Sequence, residues 1–270
     1  MLKLRDVYDA ILFDVGNTLL IREPPDHEVL AERCRKIGLP IGQESARRAW
    51  KQSELWMGEQ LLREMNNPLN PPLLRGTSEN LPLPALGPPL LRGSGAPRMP
   101  DDEVLQHLDF IALQTALNNK MEDEIRHLAA RLRAIPRRKQ AWVLANGVHE
   151  TLAELKEAGF KLGIASNFDE TLPDLCDEFG LTPYFNTIVA SSLVSIEKPD
   201  PEILHITCRQ LGVSSSVSLY VGDHPFDVLC AKEAGMSVAW LCDEPSDQFP
   251  QYIPHQPDYR VGSIADILDI

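Results

Sequence analysis

The chain has 270 residues, 43% of them hydrophobic, which is enough for an extensive interior and excludes a chain that is disordered throughout. Its 39 acidic and 26 basic side chains give a formal charge of -13, which argues against general attraction to nucleic acid or to an anionic membrane. Cys34, Cys176, Cys208, Cys230 and Cys242 follow neither a metal-ligand nor a disulfide spacing, and no apolar run approaches the roughly 20 residues of a membrane span, so a cytoplasmic protein with reduced thiols is expected.

The first predicted element is a buried strand over 8–13, an apolar run that stops at Asp14 and the Gly16-Asn17 turn signal. Residues 21–140 read differently. Apolar spacing of helical period covers 28–37, 43–65, 101–118 and 121–134, so this stretch is expected to form a helical insertion. Its middle, 66–100, carries nine prolines and four glycines and repeats Pro-Pro-Leu-Leu-Arg-Gly at 71–76 and 88–93, which rules out a continuous helix there. An irregular arm packed on the helices and a mobile, partner-binding segment are both open readings. Arg131, Arg133, Arg137, Arg138 and Lys139 read as a solvated helix end favoured by the helix dipole, with a ligand contact as the alternative. Trp50, Trp56 and Met57 read as core or core-edge residues of the insertion.

From 141 onward, strand candidates at 161–166, 187–190, 217–221 and 236–241 alternate with helical patterns at 149–158, 171–179, 201–211 and 226–234. This alternation predicts an α/β fold with a Rossmann-like parallel sheet, helices on both faces and an inserted helical cap. The core is then 1–20 and 141–270 and the cap 21–140. Active sites in such sheets gather where strands end.

Four signals fall at those predicted ends. Asp14 lies at a strand tip, where a carboxylate can attack phosphorus while the Gly16-Asn17-Thr18 turn aims backbone groups at phosphoryl oxygens; capping the turn is the plain alternative. Ser166, followed by Asn167, places a hydroxyl where it either donates to a phosphoryl oxygen or caps a helix. Lys198, in Glu-Lys-Pro-Asp-Pro, supplies a positive charge on a path stiffened by Pro199. Asp223 and Asp227, with three residues between them after a strand, can converge on one hard cation, or Asp227 can simply cap the next helix.

In this order the motifs resemble those of the haloacid dehalogenase-like superfamily of phosphotransfer hydrolases, over roughly 1–20 and 142–270, and the insertion looks like that family's C1 cap. The resemblance implies Asp14 as nucleophile, Mg2+ held by Asp14, the Gly16 carbonyl and Asp223, with Asp227 binding through water or orienting its neighbours. It also implies Ser166 and Lys198 as phosphoryl-binding and charge-balancing groups, with Thr18 and Asn167 binding phosphate or supporting the site.

One position departs from the pattern. Family phosphatases usually carry a second aspartate two residues after the nucleophile, to protonate the leaving oxygen and then activate water; here that residue is Gly16. Loss of a general acid or base costs about 100- to 10,000-fold in rate. His224, Asp169 and His27 are the candidates to replace it, and His224 has the right intrinsic titration range. The leading expectation is magnesium-dependent hydrolysis of a small phosphorylated metabolite through an aspartyl-phosphate. The alternatives are a weak or inactive ligand- or protein-binding relative, and a phosphonate hydrolase that would need a Schiff-base lysine, for which Lys36, Lys51 and Lys120 are formal candidates.

Overall fold

A computed structural model describes residues 2–65, 102–117, 122–136, 139–242 and 249–270. In chain order the elements are α1 (Leu2–Val7), β1 (Ala10–Phe13), β2 (Leu20–Glu23), α2 (Asp26–Lys36), α3 (Gln43–Met65), α4 (Asp102–Ala116) and α5 (Glu122–Arg133). They continue with β3 (Ala141–Leu144), α6 (Val148–Glu157), β4 (Lys161–Ser166), α7 (Leu172–Glu178), β5 (Thr187–Ala190) and α8 (Ser191–Val194). The last are α9 (Glu202–Leu211), β6 (Ser218–Gly222), α10 (Pro225–Glu233), β7 (Ser237–Leu241) and β8 (Tyr259–Val261). The chain divides into two compact units, one taking in Met1–Ile21 and Val143–Ile270 and the other the described residues between Arg22 and Trp142.

The first unit is a six-stranded sheet in the order β5-β4-β1-β6-β7-β8, with every adjacent pair parallel. β1 lies in the interior of the sheet, and all four of its residues are buried, which is why it reads as an uninterrupted apolar run rather than an alternating one. Its ladder runs one residue further, since Asp14 N donates to Val221 O at 2.9 Å and so ties the aspartate's backbone to β6.

The flanking helices bury apolar stripes. α9 turns Ile203, Leu204, Thr207, Cys208 and Leu211 inward, a helical spacing, and ends at Gly212 in the left-handed conformation. Its approach to the sheet is close at Gly163 of β4, where an added methyl group would come within 3.1 Å of both Leu211 and Thr207. Each leucine fully buried in this way contributes about 1.5–3 kcal/mol.

In the second unit, α2 to α5 enclose a core of Leu30, Cys34, Ile37, Ala49, Ala112, Leu113, Ile125, Leu128, Ala129 and Leu132, with Trp50 packed against it. Inside that unit Arg33 forms a two-pronged pair with Asp109, both bonds at 3.0 Å, and two further donors reach the carbonyls of Leu132 and Ile135. The arrangement satisfies four of the five N–H donors of a buried guanidinium. Arg131 donates to Ile37 O at the C-terminus of α2, so this member of the basic cluster closes a neighbouring helix end.

Several expectations need correction. The first strand begins at Ala10 rather than Tyr8, and 2–7 form a helix where no element was expected. Three strands were also missed. β2 and β3 pair as a separate two-stranded sheet, and β8 extends the main one. Each is only three or four residues long and at least partly exposed, and only β3, Ala-Trp-Val-Leu, is an uninterrupted apolar run. The Pro-rich interval 66–100 lies outside the described residues, as do Lys120, Arg137 and Arg138. Among the described residues no helix is long and apolar enough to cross a membrane.

Candidate active site

All the site residues come from the first unit, at or just beyond the carboxyl ends of parallel strands. Asp14 follows β1, Ser166 ends β4, Lys198 follows β5 and α8, and Asp223 and Asp227 follow β6. Lys198 is at the centre. Its Nζ donates to Asp14 Oδ1 at 2.7 Å, to Asp227 Oδ1 at 2.7 Å and to the phenol oxygen of Tyr220 at 2.9 Å. Those three bonds use every N–H of the ammonium. Burial disfavours the charge, but Asp14 and Asp227 outweigh it and hold the lysine well above its usual range.

Two side chains fix Lys198 from outside its own loop. Asn167 accepts from Lys198 N at 2.7 Å and donates to Lys198 O at 2.9 Å, so its amide clamps the lysine's main chain. Of the two roles left open for Asn167, this is the supporting one. Tyr220, entirely buried in β6, donates its hydroxyl to Ala165 O at 2.7 Å while accepting from Lys198. Sequence reasoning missed Tyr220. Its only signal was a hydroxyl in the middle of an otherwise apolar parallel strand.

Asp227 is fully buried and committed on both oxygens, Oδ1 to Lys198 and Oδ2 to His224 N at 2.9 Å. The second bond is half of a capping box at the start of α10, whose other half is His224. The capping reading of Asp227 is the one that these bonds show. Burial and the nearby Asp14 push its carboxyl up to about 6 although Lys198 pulls it down. Gly222 makes room for it, because a methyl group there would sit 2.5 Å from Asp227 Cγ.

Asp14, Asp223 and Asp227 each offer an oxygen, and these oxygens lie within 4.8 Å of one another. Three hard carboxylate donors suit a hard divalent cation. Lys198 bonds Asp14 at Oδ1 and the buried Thr18 hydroxyl donates to Asp223 Oδ1 at 3.4 Å, whereas Asp227 accepts at both oxygens. The Asp223 loop is anchored from β7 by Trp240, whose indole N–H donates to Asp223 O at 2.7 Å.

Two of the candidates for the missing acid, His224 and Asp169, each make local bonds through one side-chain atom. Desolvation and the Lys198 charge push the His224 imidazole down to about 4, and its Nδ1 accepts from Phe226 N at 3.1 Å. It is neutral at physiological pH. Asp169 Oδ1 caps the Thr171 backbone N–H at 3.0 Å and takes the Thr171 hydroxyl as well. Lys36, one Schiff-base candidate, is half exposed and paired with Glu32 at 2.7 Å. The turn after Asp14 differs from what Gly16 suggests, since Asn17 takes its left-handed position at φ 55° and Gly16 does not have positive φ.

The sequence signature of the haloacid dehalogenase-like hydrolases matches residues 94–241, a span that includes Ser166, Lys198, Asp223 and Asp227. The chain is 31% identical over 193 residues to pyrophosphatase PpaX of Bacillus velezensis, covering 70% of this chain and 77% of that protein. It is 32% identical over 150 residues to a phosphoglycolate phosphatase of Pseudomonas syringae pv. tomato, spanning 55% of this chain and about half, 53%, of that relative. A solved structure of a predicted phosphoglycolate phosphatase from Haemophilus somnus has a TM-score of 0.51 at 20% identity, covering 97% of each chain, which speaks for the fold alone. With that signature over more than half its length and the same parallel sheet, the chain belongs to the haloacid dehalogenase-like hydrolase family and is an enzyme of its phosphatase and hydrolase type.

Proposed function

We propose that the protein hydrolyses a small phosphorylated metabolite in the presence of Mg2+, with Asp14 as nucleophile and only weak protonation of the leaving group. The observation that carries this reading is Asp14 held through Oδ1 by a buried ammonium, with a carboxylate oxygen within 4.8 Å of one of Asp223. Asp14 and Asp223 would hold the magnesium ion, which when bound neutralises phosphoryl-oxygen charge.

The chain's own residues do the rest. Asp14 forms a bond to phosphorus as the bond to the departing oxygen breaks. Water then attacks phosphorus, releases phosphate and restores the Asp14 carboxylate. Lys198 orients Asp14 through Oδ1, and Ser166, at the tip of β4 and 2% exposed, donates to a phosphoryl oxygen. Gly16 offers no acid, so substrates whose departing oxygen needs little protonation are favoured: acyl, aryl or phosphoanhydride groups over alkyl esters. The pyrophosphatase among the relatives accords with such a preference.

The test is phosphate release from acetyl phosphate, an aryl phosphate and a sugar phosphate, with magnesium and with chelator, beside an Asp14→Asn control. Faster chemical steps for the first two, lost with Asn and with chelator, are expected. Equal rates for aryl and alkyl esters would show that another group supplies the proton.

A further inference from the structure

Tyr220 is a buried polar group that neither the nucleophile, the metal site nor the leaving group uses. Its bonding direction is settled by chemistry. Ala165 O can only accept, so the phenol donates there, and the ammonium can only donate, so the phenol accepts from Lys198. The oxygen thus bridges the main chain of β4, one residue before Ser166, to the charge centre of the site.

The consequence lies in the count of donors. Asp14, Asp227 and Tyr220 take all three ammonium N–H bonds, so a bound phosphoryl group would find none of them free. Lys198 then acts on the substrate through Asp14 and through its charge. Without the phenol, the third N–H would be left unpaired in a buried site and the ammonium would be held by Asp14 and Asp227 alone.

We propose that Tyr220 is a positioning residue, whose phenol oxygen fixes the Lys198 ammonium so that Asp14 is held by one carboxylate oxygen and presents the other for reaction. The proposal rests on the reading of Asp14 as a phosphoryl acceptor. It separates Tyr220 from an ordinary core aromatic, because a core role has no reason to operate through Lys198.

Turnover of acetyl phosphate with magnesium is measured for the wild type, Tyr220→Phe, Lys198→Met and the double variant, together with nitrogen-15 NMR of the lysine ammonium groups. Tyr220→Phe is expected to lower kcat about tenfold with KM within about twofold, because it disturbs orientation rather than binding. In the Lys198→Met background it is expected to cost nothing further. A slowly exchanging ammonium signal, lost in Lys198→Met, is expected in the wild type and is expected to exchange at least about tenfold faster in Tyr220→Phe. An unchanged kcat, or an equal fold-loss in both backgrounds, overturns the proposal. If the wild type releases phosphate from no ester, the reading of Asp14 fails, and the ammonium signal alone decides whether Tyr220 holds Lys198: protection lost in Tyr220→Phe sustains that link, and an unprotected wild-type signal overturns it.

Discussion

Replacing Lys198 with methionine keeps an unbranched side chain one atom shorter and removes the charge on which the site converges. Asp14 and Asp227 would then face each other with oxygens within 4.8 Å and no cation between them. Two unit charges at that distance repel by about 3.5 kcal/mol at an effective dielectric near 20. The folded protein avoids that cost by taking up a proton, and Asp227, the more deeply buried and already raised to about 6 with Lys198 present, is the group that takes it. The sign follows from linkage. A carboxyl raised above its unfolded value binds more protons in the folded state, so stability is retained at low pH and lost as pH rises through the raised value. Urea unfolding should find Lys198→Met close to wild type near pH 5 and about 3–5 kcal/mol weaker near pH 8. Its kcat/KM for acetyl phosphate at saturating magnesium should fall about 100- to 1,000-fold, as expected for loss of a charge that acts at the reacting group. A variant within threefold of the wild-type rate, or one whose stability deficit does not depend on pH, would refute the account of Lys198 as the shared counter-charge.

Gly222→Ala should destabilise the fold by about 1–3 kcal/mol and reduce turnover together, because the new methyl group displaces the Asp227 carboxyl; denaturant unfolding and phosphate release read the two effects. Arg33→Leu or Asp109→Leu alone should cost about 3–5 kcal/mol by stranding a buried charge, while the double variant should lie close to wild type in the same unfolding assay.

Much of the sheet was legible because its central strands are buried on both faces and therefore appear as short apolar runs ending in polar residues. β1 followed by Asp14, and β6 followed by Gly222-Asp223, are examples. β2, β3 and β8 were not legible, since strands of three or four residues with mixed exposure leave no periodic trace. The site divided along a similar line. Residues at strand tips could be picked out one by one, but the bonds that give them their roles join distant stretches of chain. Asn167 meets Lys198 across 31 positions and Asp14 meets it across 184. Asp227 shows the limit most clearly: spacing put it beside Asp223, and only the fold reveals that its two oxygens are spent on Lys198 and His224.

The turn after Asp14 bears on why a glycine stands where an acid is usual in family phosphatases. Glycine is needed where the backbone must be left-handed, and here that demand falls on Asn17, a residue type that tolerates it. Backbone conformation therefore does not exclude a side chain at position 16. An aspartate there would carry no left-handed strain, and Gly16→Asp becomes a fair trial of whether the missing carboxyl alone limits alkyl phosphates. If the leaving oxygen is what lacks a proton, the added acid should speed a sugar phosphate far more than acetyl phosphate, whose leaving group needs none. The ratio of the two rates isolates that effect, because any general disturbance of Asp14 or of the metal site lowers both together.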